Sequence, residues 1–452
     1  MPQPKFKMMD TYRRESILAR SDHSWTAVHS FALMMAPIFH RRSVASFVLT
    51  IACCDAFLPT ADFRAATSTS LPAAVLTSSE ACQNDTGTSA RATYQTLFTM
   101  NEGERLRFQY DFDELVCGNV PADMTPTHAV ILTHPIGVGI GRWYYDRLLE
   151  SLEKDTKDRP TRLVFLVPDL LGSGSASAPI ASDGSDMLQL PLLKVSDWAN
   201  QMQDLMADYE ARSESRGHPI GQWTVVANGG CSSIALEVAQ SSVEGTAPFA
   251  AKVHNVVLSS PPRLSFFLES TDPEKVKKSY RTLSGVAGNL FWWYALRKDG
   301  RFIQRFSEKN LVGQAENLGD QWTKNCVAVA KLNDGRSRYS TFSFLAGSLQ
   351  EGCKKSLDAL KNSHVQINFI RGTDKRRNRA RSWFWQRRKQ SAGGDEGKEK
   401  KENNNDEAER TIEQYVKGNG NGGGTEFIGG RISLAHEDPD GYAAALALHL
   451  SK

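Results

Sequence analysis

The chain has 452 residues, 40% of them apolar and 23% charged, which is enough for one large globular domain of about 250 to 300 residues with extensions at its ends. Its 54 Lys and Arg stand against 51 Asp and Glu, a formal net charge of +3. Apart from one basic cluster at 375–389 they are spread along the chain, so the charge offers no case for nucleic acid as a partner. The seven cysteines (Cys53, Cys54, Cys82, Cys117, Cys231, Cys326, Cys353) lack paired or metal-type spacing; no disulfide framework, metal site or cofactor is expected.

Residues 1–93 read as a targeting presequence and linker. The core, 43–56, includes SVASFVLTIACC behind the pair Arg41-Arg42 and ahead of Ala56, the layout of a signal peptide. It is too short to span a bilayer, which takes about 20 apolar residues, so no permanent transmembrane anchor is expected after processing. Residues 57–93 are rich in Ser, Thr and Ala, as in a transit peptide. The junction CDAFLP resembles the bipartite presequences of algae with secondary plastids, which implies import into a plastid (chloroplast); an ordinary secretory signal is the alternative. Met34 or Met35 would be a more natural start for such a signal than Met1.

Past Tyr94 the pattern becomes regular. TLFTMNEGERLRFQYDFDE alternates around a Glu-Gly turn and predicts an antiparallel hairpin. AVILTHP, RLVFLVPDLLGSGSAS, WTVVANGG and VHNVVLSSPP are short continuous apolar runs, the mark of strands buried on both faces. Between them RWYYDRLLESLEKD, WANQMQDLMADYEA and CSSIALEVAQ have helical spacing. Strands alternating with helices predict parallel βαβ units and a sheet covered on both sides. Residues 264–350 are helical and aromatic with no strand signal and read as a lid inserted over the carboxyl ends of the sheet, where ligands bind in such folds. VQINFIRGTD and TEFIGG supply two closing strands and DGYAAALALHL a terminal helix. The domains are thus 94–263 and 351–452 for the core and 264–350 for the lid. Within the last part, residues about 376–420 form an expected disordered surface insertion. Its basic, Trp-containing first half suits anionic lipid or nucleic acid, with a plain solvated loop as the alternative.

The order of motifs resembles the α/β-hydrolase fold. His134-Pro135-Ile136-Gly137-Val138-Gly139 follows a strand and is similar to the family's oxyanion loop, whose backbone N–H groups face developing negative charge. Asp169-Leu170-Leu171-Gly172-Ser173-Gly174-Ser175 resembles its Asp-x-x-Gly-x-Gly-x-Ser loop. The resemblance covers 94–452, is greatest to plastid and cyanobacterial members that carry HPIGVG and a FLAG segment (Phe344 to Gly347), and implies a mostly parallel central sheet with helices on both faces and a helical lid.

At the nucleophile elbow the sequence departs from this pattern. The family runs a buried strand into Gly-x-Ser-x-Gly and a helix. Here the anchors Val225-Val226 and Ala235, Ala239 place Ala227-Asn228-Gly229-Gly230-Cys231 over that motif, with Gly229 at the serine position. Gly229, Asn228 and Gly230, together with His134, Pro135, Ile136, Gly137 and Gly139, are the expected oxyanion or ligand-binding residues. Cys231 or Ser232 is a candidate displaced nucleophile; otherwise both are helix-start residues. The family's catalytic His precedes a Glu-x-Pro by about five residues. Glu437-Asp438-Pro439 fits that tail and puts Ile432 at the base position, which leaves His436 as the candidate base only in a remodelled loop. Asp374, in Arg371-Gly372-Thr373-Asp374, is the candidate acid.

Three functions follow. One is a fold member without the usual triad that binds a lipophilic small molecule, beside Trp143, Tyr144, Phe291, Trp292 and Trp293, or a protein partner. The second is an active esterase or lipase-like hydrolase that uses Cys231 or Ser232 with His436 and Asp374 on an ester-type ligand. The third is a proton-transfer or lyase-type enzyme with His134 as acid or base. Contact with membranes would be peripheral.

Overall fold

In the computed structural model the described residues are 90–100, 106–118, 127–156, 161–180, 190–269, 271–293, 300–374 and 411–451. Residues 1–89 of the expected presequence, the Glu-Gly turn of the hairpin and the basic Trp-containing segment lie outside them, whereas residues 90–93, read from sequence as the end of the linker, already belong to the first strand because they pair with 113–116. The chain divides into two units. Of the first, Met1–Glu80 with Arg281–Gly288, only 281–288 are described, at the end of one lid helix and the start of the next. The second, Ala81–Tyr280 with Asn289–Lys452, holds the sheet and the rest of the lid.

The long hairpin forms as β1 (Ala90–Met100) and β2 (Leu106–Cys117), antiparallel with Phe98 opposite Phe108 and Ala90 opposite Val116. The apolar runs become β3 (Thr127–Thr133), β4 (Leu163–Pro168), β6 (Ile220–Asn228) and β7 (Lys252–Ser259), and the closing strands are β8 (Gln366–Gly372) and β9 (Gly422–Ile428). The sheet order is β1-β2-β4-β3-β6-β7-β8-β9, with a two-residue β5 (Pro179–Ile180) on the side of β2. β2 is antiparallel to both neighbours on the main path, and every pair from β4 to β9 is parallel. A parallel sheet needs crossover helices, and those helices cover its faces.

Every residue of β3 and β4 is buried, as the unbroken apolar runs predict. Because side chains alternate along a strand, Val130, Leu132, Phe165, Val167, Val226, Val257 and Ile370 share one face. There they form a single core with Tyr144, Tyr145, Leu148 and Leu152 near helix α1 (Asp146–Thr156) and with Tyr442 and Leu446 of α13 (Pro439–Leu450). The alternate residues Ala129, Ile131, Val225 and Val256, equally buried, face the other way. Helices α2 (Val195–Ser215), α3 (Ser232–Glu244) and α10 (Cys353–Leu360) pack together on that side. Each fully buried Leu or Val stabilises the fold by about 1.5–3 kcal/mol relative to exposure.

Between β7 and β8 the described residues contain no strand, and ahead of α10 they form the helices α4 (Leu264–Leu268), α5 (Pro273–Ser284), α6 (Val286–Phe291), α7 (Arg301–Asn310), α8 (Gly319–Lys331) and α9 (Arg338–Ala346). The expected lid is therefore made of helices. The expected insertion 376–420 is shorter at its far end, because α11 spans Ile412–Gly418. A capping box between Thr411 and Gln414 starts it, and Ile412 and Val416, four apart, bury one face. α12 is a single turn, Leu434–Glu437.

Candidate functional site

Three loops lie at the carboxyl ends of β3, β4 and β6, and residues of the lid contact each of them. The first, His134–Gly139, is locked by its histidine. The Leu170 N–H donates to His134 Nε2 at 3.1 Å, which makes Nε2 the acceptor and Nδ1 the donor to the Pro135 carbonyl at 3.0 Å. The ring is fully buried and burial lowers its pKa, so it stays a neutral clasp between loops, both nitrogens engaged with backbone. Such a ring is a poor general acid or base, and the structure favours the clasp over the proton-transfer role. Gly139, at φ +67°, runs against the lid: a methyl group there would overlap the Cys326 carbonyl of α8. Thr341 of α9 donates to the Gly137 carbonyl at 3.2 Å.

The second loop, Leu170–Ser177, folds around Asp169. That buried carboxylate accepts from the Arg142 N–H and guanidinium, both at 2.9 Å, and from the N–H (2.9 Å) and hydroxyl (2.8 Å) of Ser175. Arg142 also reaches Asp111 at 3.1 Å and Asp113 at 3.2 Å. Desolvation opposes the Arg142 charge, and these three carboxylates outweigh it and raise its pKa. Counted out, the motif's closing Ser falls on Ala176, and Ser175 makes the contact one residue early. Gly174, at φ +51°, leaves room only for the Asp169 carboxylate, and Gly172, at φ +76°, lies under Ser340 of α9. The Ser340 hydroxyl donates to the Gly172 carbonyl at 2.7 Å.

At the third loop the strand–turn–helix is present. β6 ends at Asn228, the chain turns through Gly229–Cys231, and α3 starts at Ser232. Gly229 takes φ +58°, a left-handed conformation that L side chains seldom adopt, and a Cβ built there would have no heavy atom within 4 Å. Beside it Gly230 faces Phe344, Leu349 and Phe266. Asn228 is buried and its amide donates to the Ile432 carbonyl and to Ser259 Oγ, each at 3.2 Å. The backbone at Ile432 thus stands against the residue that precedes Gly229.

Of the displaced candidates, Cys231 closes this turn and Ser232 opens α3, whereas His436 is on α12 and Asp374 follows β8. Cys231 is buried; desolvation pushes its thiol up to about 12, although the Ile136 N–H favours the thiolate. Nucleophilic thiols have lowered pKa values, so this is a thiol packed in the core. Ser232 donates its hydroxyl to the Gly229 carbonyl at 2.7 Å, a first-turn bond of α3. His436 is buried with its ring 4.7 Å from that of Trp322, and Nε2 donates to the Leu318 carbonyl at 3.0 Å. Burial lowers its pKa. Asp374 follows β8 and donates its N–H to the Gly430 carbonyl at 3.0 Å. Its carboxylate and that of Glu437 flank Gly313, in a cavity of about 370 Å³ that also includes Gln314, Gly430 and Asp438. Glu437 accepts from the N–H groups of Gly313 (2.6 Å) and Arg431 (2.9 Å), yet burial still raises its pKa. Cys231, Ser232, His436 and Asp374 therefore form no hydrogen-bonded relay with one another.

The aromatic residues are mostly packing. Trp143 and Tyr144 meet Trp322 edge-on at 5.2 and 6.1 Å, Trp292 meets Phe342 at 6.0 Å, and Phe291 meets Phe302 at 5.8 Å. The apolar residues next to the elbow are Phe266, Phe344 and Leu349; Phe344 was legible through the FLAG segment, whereas Phe266 and Leu349 carry no motif. Among the described residues no three His, Cys, Asp or Glu side chains are grouped to hold a metal ion, and no helix is long and apolar enough to cross a membrane.

The strand order with its one antiparallel inner strand, the helices on both faces, the turn at Gly229 and the helical insertion after β7 make this an α/β-hydrolase fold. No protein-family model matches the chain, and no curated protein does. Solved structures similar to it include the peroxisomal alpha-beta-hydrolase Lpx1 of Saccharomyces cerevisiae, at 11% identity and a TM-score of 0.48 over 80% of this chain and 89% of that one. A haloalkane dehalogenase loop variant from Bradyrhizobium elkanii is similar at 13% identity and a TM-score of 0.44, over 80% and 97%. The 2-hydroxy-6-oxo-6-phenylhexa-2,4-dienoate hydrolase of a Rhodococcus strain is similar at 15% and 0.43, over 80% and 100%. No chemistry passes to this chain from likenesses at such identity.

Proposed function

We propose that this protein keeps the α/β-hydrolase scaffold without covalent hydrolysis, and that it holds a lipophilic small molecule at the turn where hydrolases carry their nucleophile. Gly229 carries the reading: it occupies the serine position in left-handed backbone, with open space where a side chain would project. The apolar residues beside Gly230 suit an apolar ligand. Displaced catalysis is disfavoured by the raised Cys231 thiol, by the Ser232 hydroxyl given to Gly229 and by His436 Nε2 being given to the Leu318 carbonyl.

The test exposes the folded protein to a fluorophosphonate and to iodoacetamide at neutral pH, with Cys231→Ala and Ser232→Ala variants alongside. The expected result is no stoichiometric labelling of either residue, and a bound lipophilic molecule recovered by native mass spectrometry. Labelling that vanishes in one variant would make the protein an esterase-like enzyme. From residues 43–93 we also propose plastid import, which a fluorescent fusion of residues 1–93 would test; export through the secretory pathway would refute it.

A further inference from the structure

The lid contains one helix whose outward faces are sorted by chemistry. α7 reads RFIQRFSEKN. Ile303 and Ser307 point inward and are buried, and Ser307 Oγ accepts from Trp322 Nε1 at 3.0 Å. One step around the helix, Phe302 and Phe306 form an i,i+4 row with rings stacked at 6.1 Å and 17° apart. Beside that row Arg301, Arg305 and Lys309 form another, all three exposed. Glu308, the single acid on the helix, is held by the Gln304 amide at 3.0 Å. Phe306 remains 39% exposed despite its stacking partner, and Leu290, next to the Phe291 ring that packs on Phe302, is 53% exposed.

A lone exposed apolar side chain needs no explanation. An aromatic row running along a row of cations on the outside of a lid is a different arrangement. We infer that α7 docks on an anionic lipid surface, with Phe302 and Phe306 entering the acyl boundary and Arg301, Arg305 and Lys309 meeting headgroup phosphates. Amphipathic helices that lie in the membrane interface combine these same two ingredients. The inference stands apart from whatever binds at Gly229, since none of these side chains belongs to that turn.

The experiment is co-sedimentation of the full chain with vesicles of phosphatidylcholine alone or mixed with phosphatidylglycerol. Three variants run beside it: Phe306→Ser, Arg305→Glu with Lys309→Glu, and Trp383→Ser with Trp385→Ser in the basic segment. The wild type should bind the mixed vesicles and not the neutral ones. The double charge reversal should weaken binding at least about tenfold, since each cation near such a surface contributes about 1 kcal/mol, and Phe306→Ser about fivefold or more. Both substitutions are at exposed positions, so circular dichroism should be unchanged. Equal binding by the wild type and both α7 variants would overturn the inference. So would absence of binding to mixed vesicles, a loss confined to the Trp383 and Trp385 variant, or tight binding to a single-stranded oligonucleotide with none to vesicles.

Discussion

The loops around Asp169 and the turn at Gly229 are both glycine corners at the carboxyl end of one sheet, and they use glycine for opposite reasons. At Gly139, Gly172 and Gly174 the missing Cβ is a steric demand: lid backbone, a lid serine or the Asp169 carboxylate already fills the place. At Gly229 nothing fills it. The contrast separates scaffold from chemistry. What holds a hydrolase-like site in shape is packed to contact, whereas the corner from which a nucleophile would project is bare.

The largest effect should come from filling a packed corner. Gly139→Ala is expected to cost about 3 kcal/mol or more, through both overlap with the Cys326 carbonyl and the left-handed φ. Urea unfolding measures it, and a cost under about 1 kcal/mol would mean that α8 yields easily. Gly229→Ser, where only the backbone conformation opposes the side chain, should cost about 1 kcal/mol. It should also gain no fluorophosphonate reactivity alone, because the backbone that meets Asn228 beside the turn is that of Ile432, which has no imidazole to take the proton. If the two substitutions cost the same, the comparison fails.

The His134 clasp sharpens the contrast through pH. Its folded pKa lies below the ordinary value, so the unfolded chain takes up the proton first. The stability it contributes is complete above about pH 6.5 and declines as pH falls toward the folded pKa, by at most about 1.4 kcal/mol per unit. His128, buried and lowered to about 4, acts in the same direction. Glu237, raised to about 7 by burial, acts in the opposite one: its contribution is complete below about pH 4.5 and is lost as pH rises through 7. Glu237→Gln should therefore steepen the acid-side decline, and His134→Asn should flatten it; unfolding free energies at several pH values decide. Ser340→Ala, which removes one lid bond to the Gly172 carbonyl, should have the smallest effect, about 0.5 kcal/mol, measured the same way.

The comparison also explains what could be read from the residues alone. The strands of the body were legible because runs such as AVILT and LVFLV are buried on both faces, and the turn at Gly229 because Val225-Val226 and Ala235, Ala239 fix its frame on either side. The lid's hold on Gly139 and Gly172 was not legible, since Cys326 and Ser340 lie far along the chain and carry no motif. His436 was drawn toward the site by its place beside Glu437; on the one-turn helix α12 its ring goes to Trp322 and the Glu437 carboxylate to the loop at Gly313. A single turn is enough to send adjacent side chains to different neighbours. The start of α11 was hidden because its cap, Thr411, closes a polar tract that predicts disorder.

The open space at Gly229 also makes it a natural anchoring point for a reporter. The four described cysteines are all buried, so a thiol introduced there by Gly229→Cys would be the accessible one among them. A spin label or fluorophore attached to it would start one residue from Gly230, which Phe344 and Leu349 of the lid face, and would report on the mobility of the lid by spectroscopy, with no substrate needed.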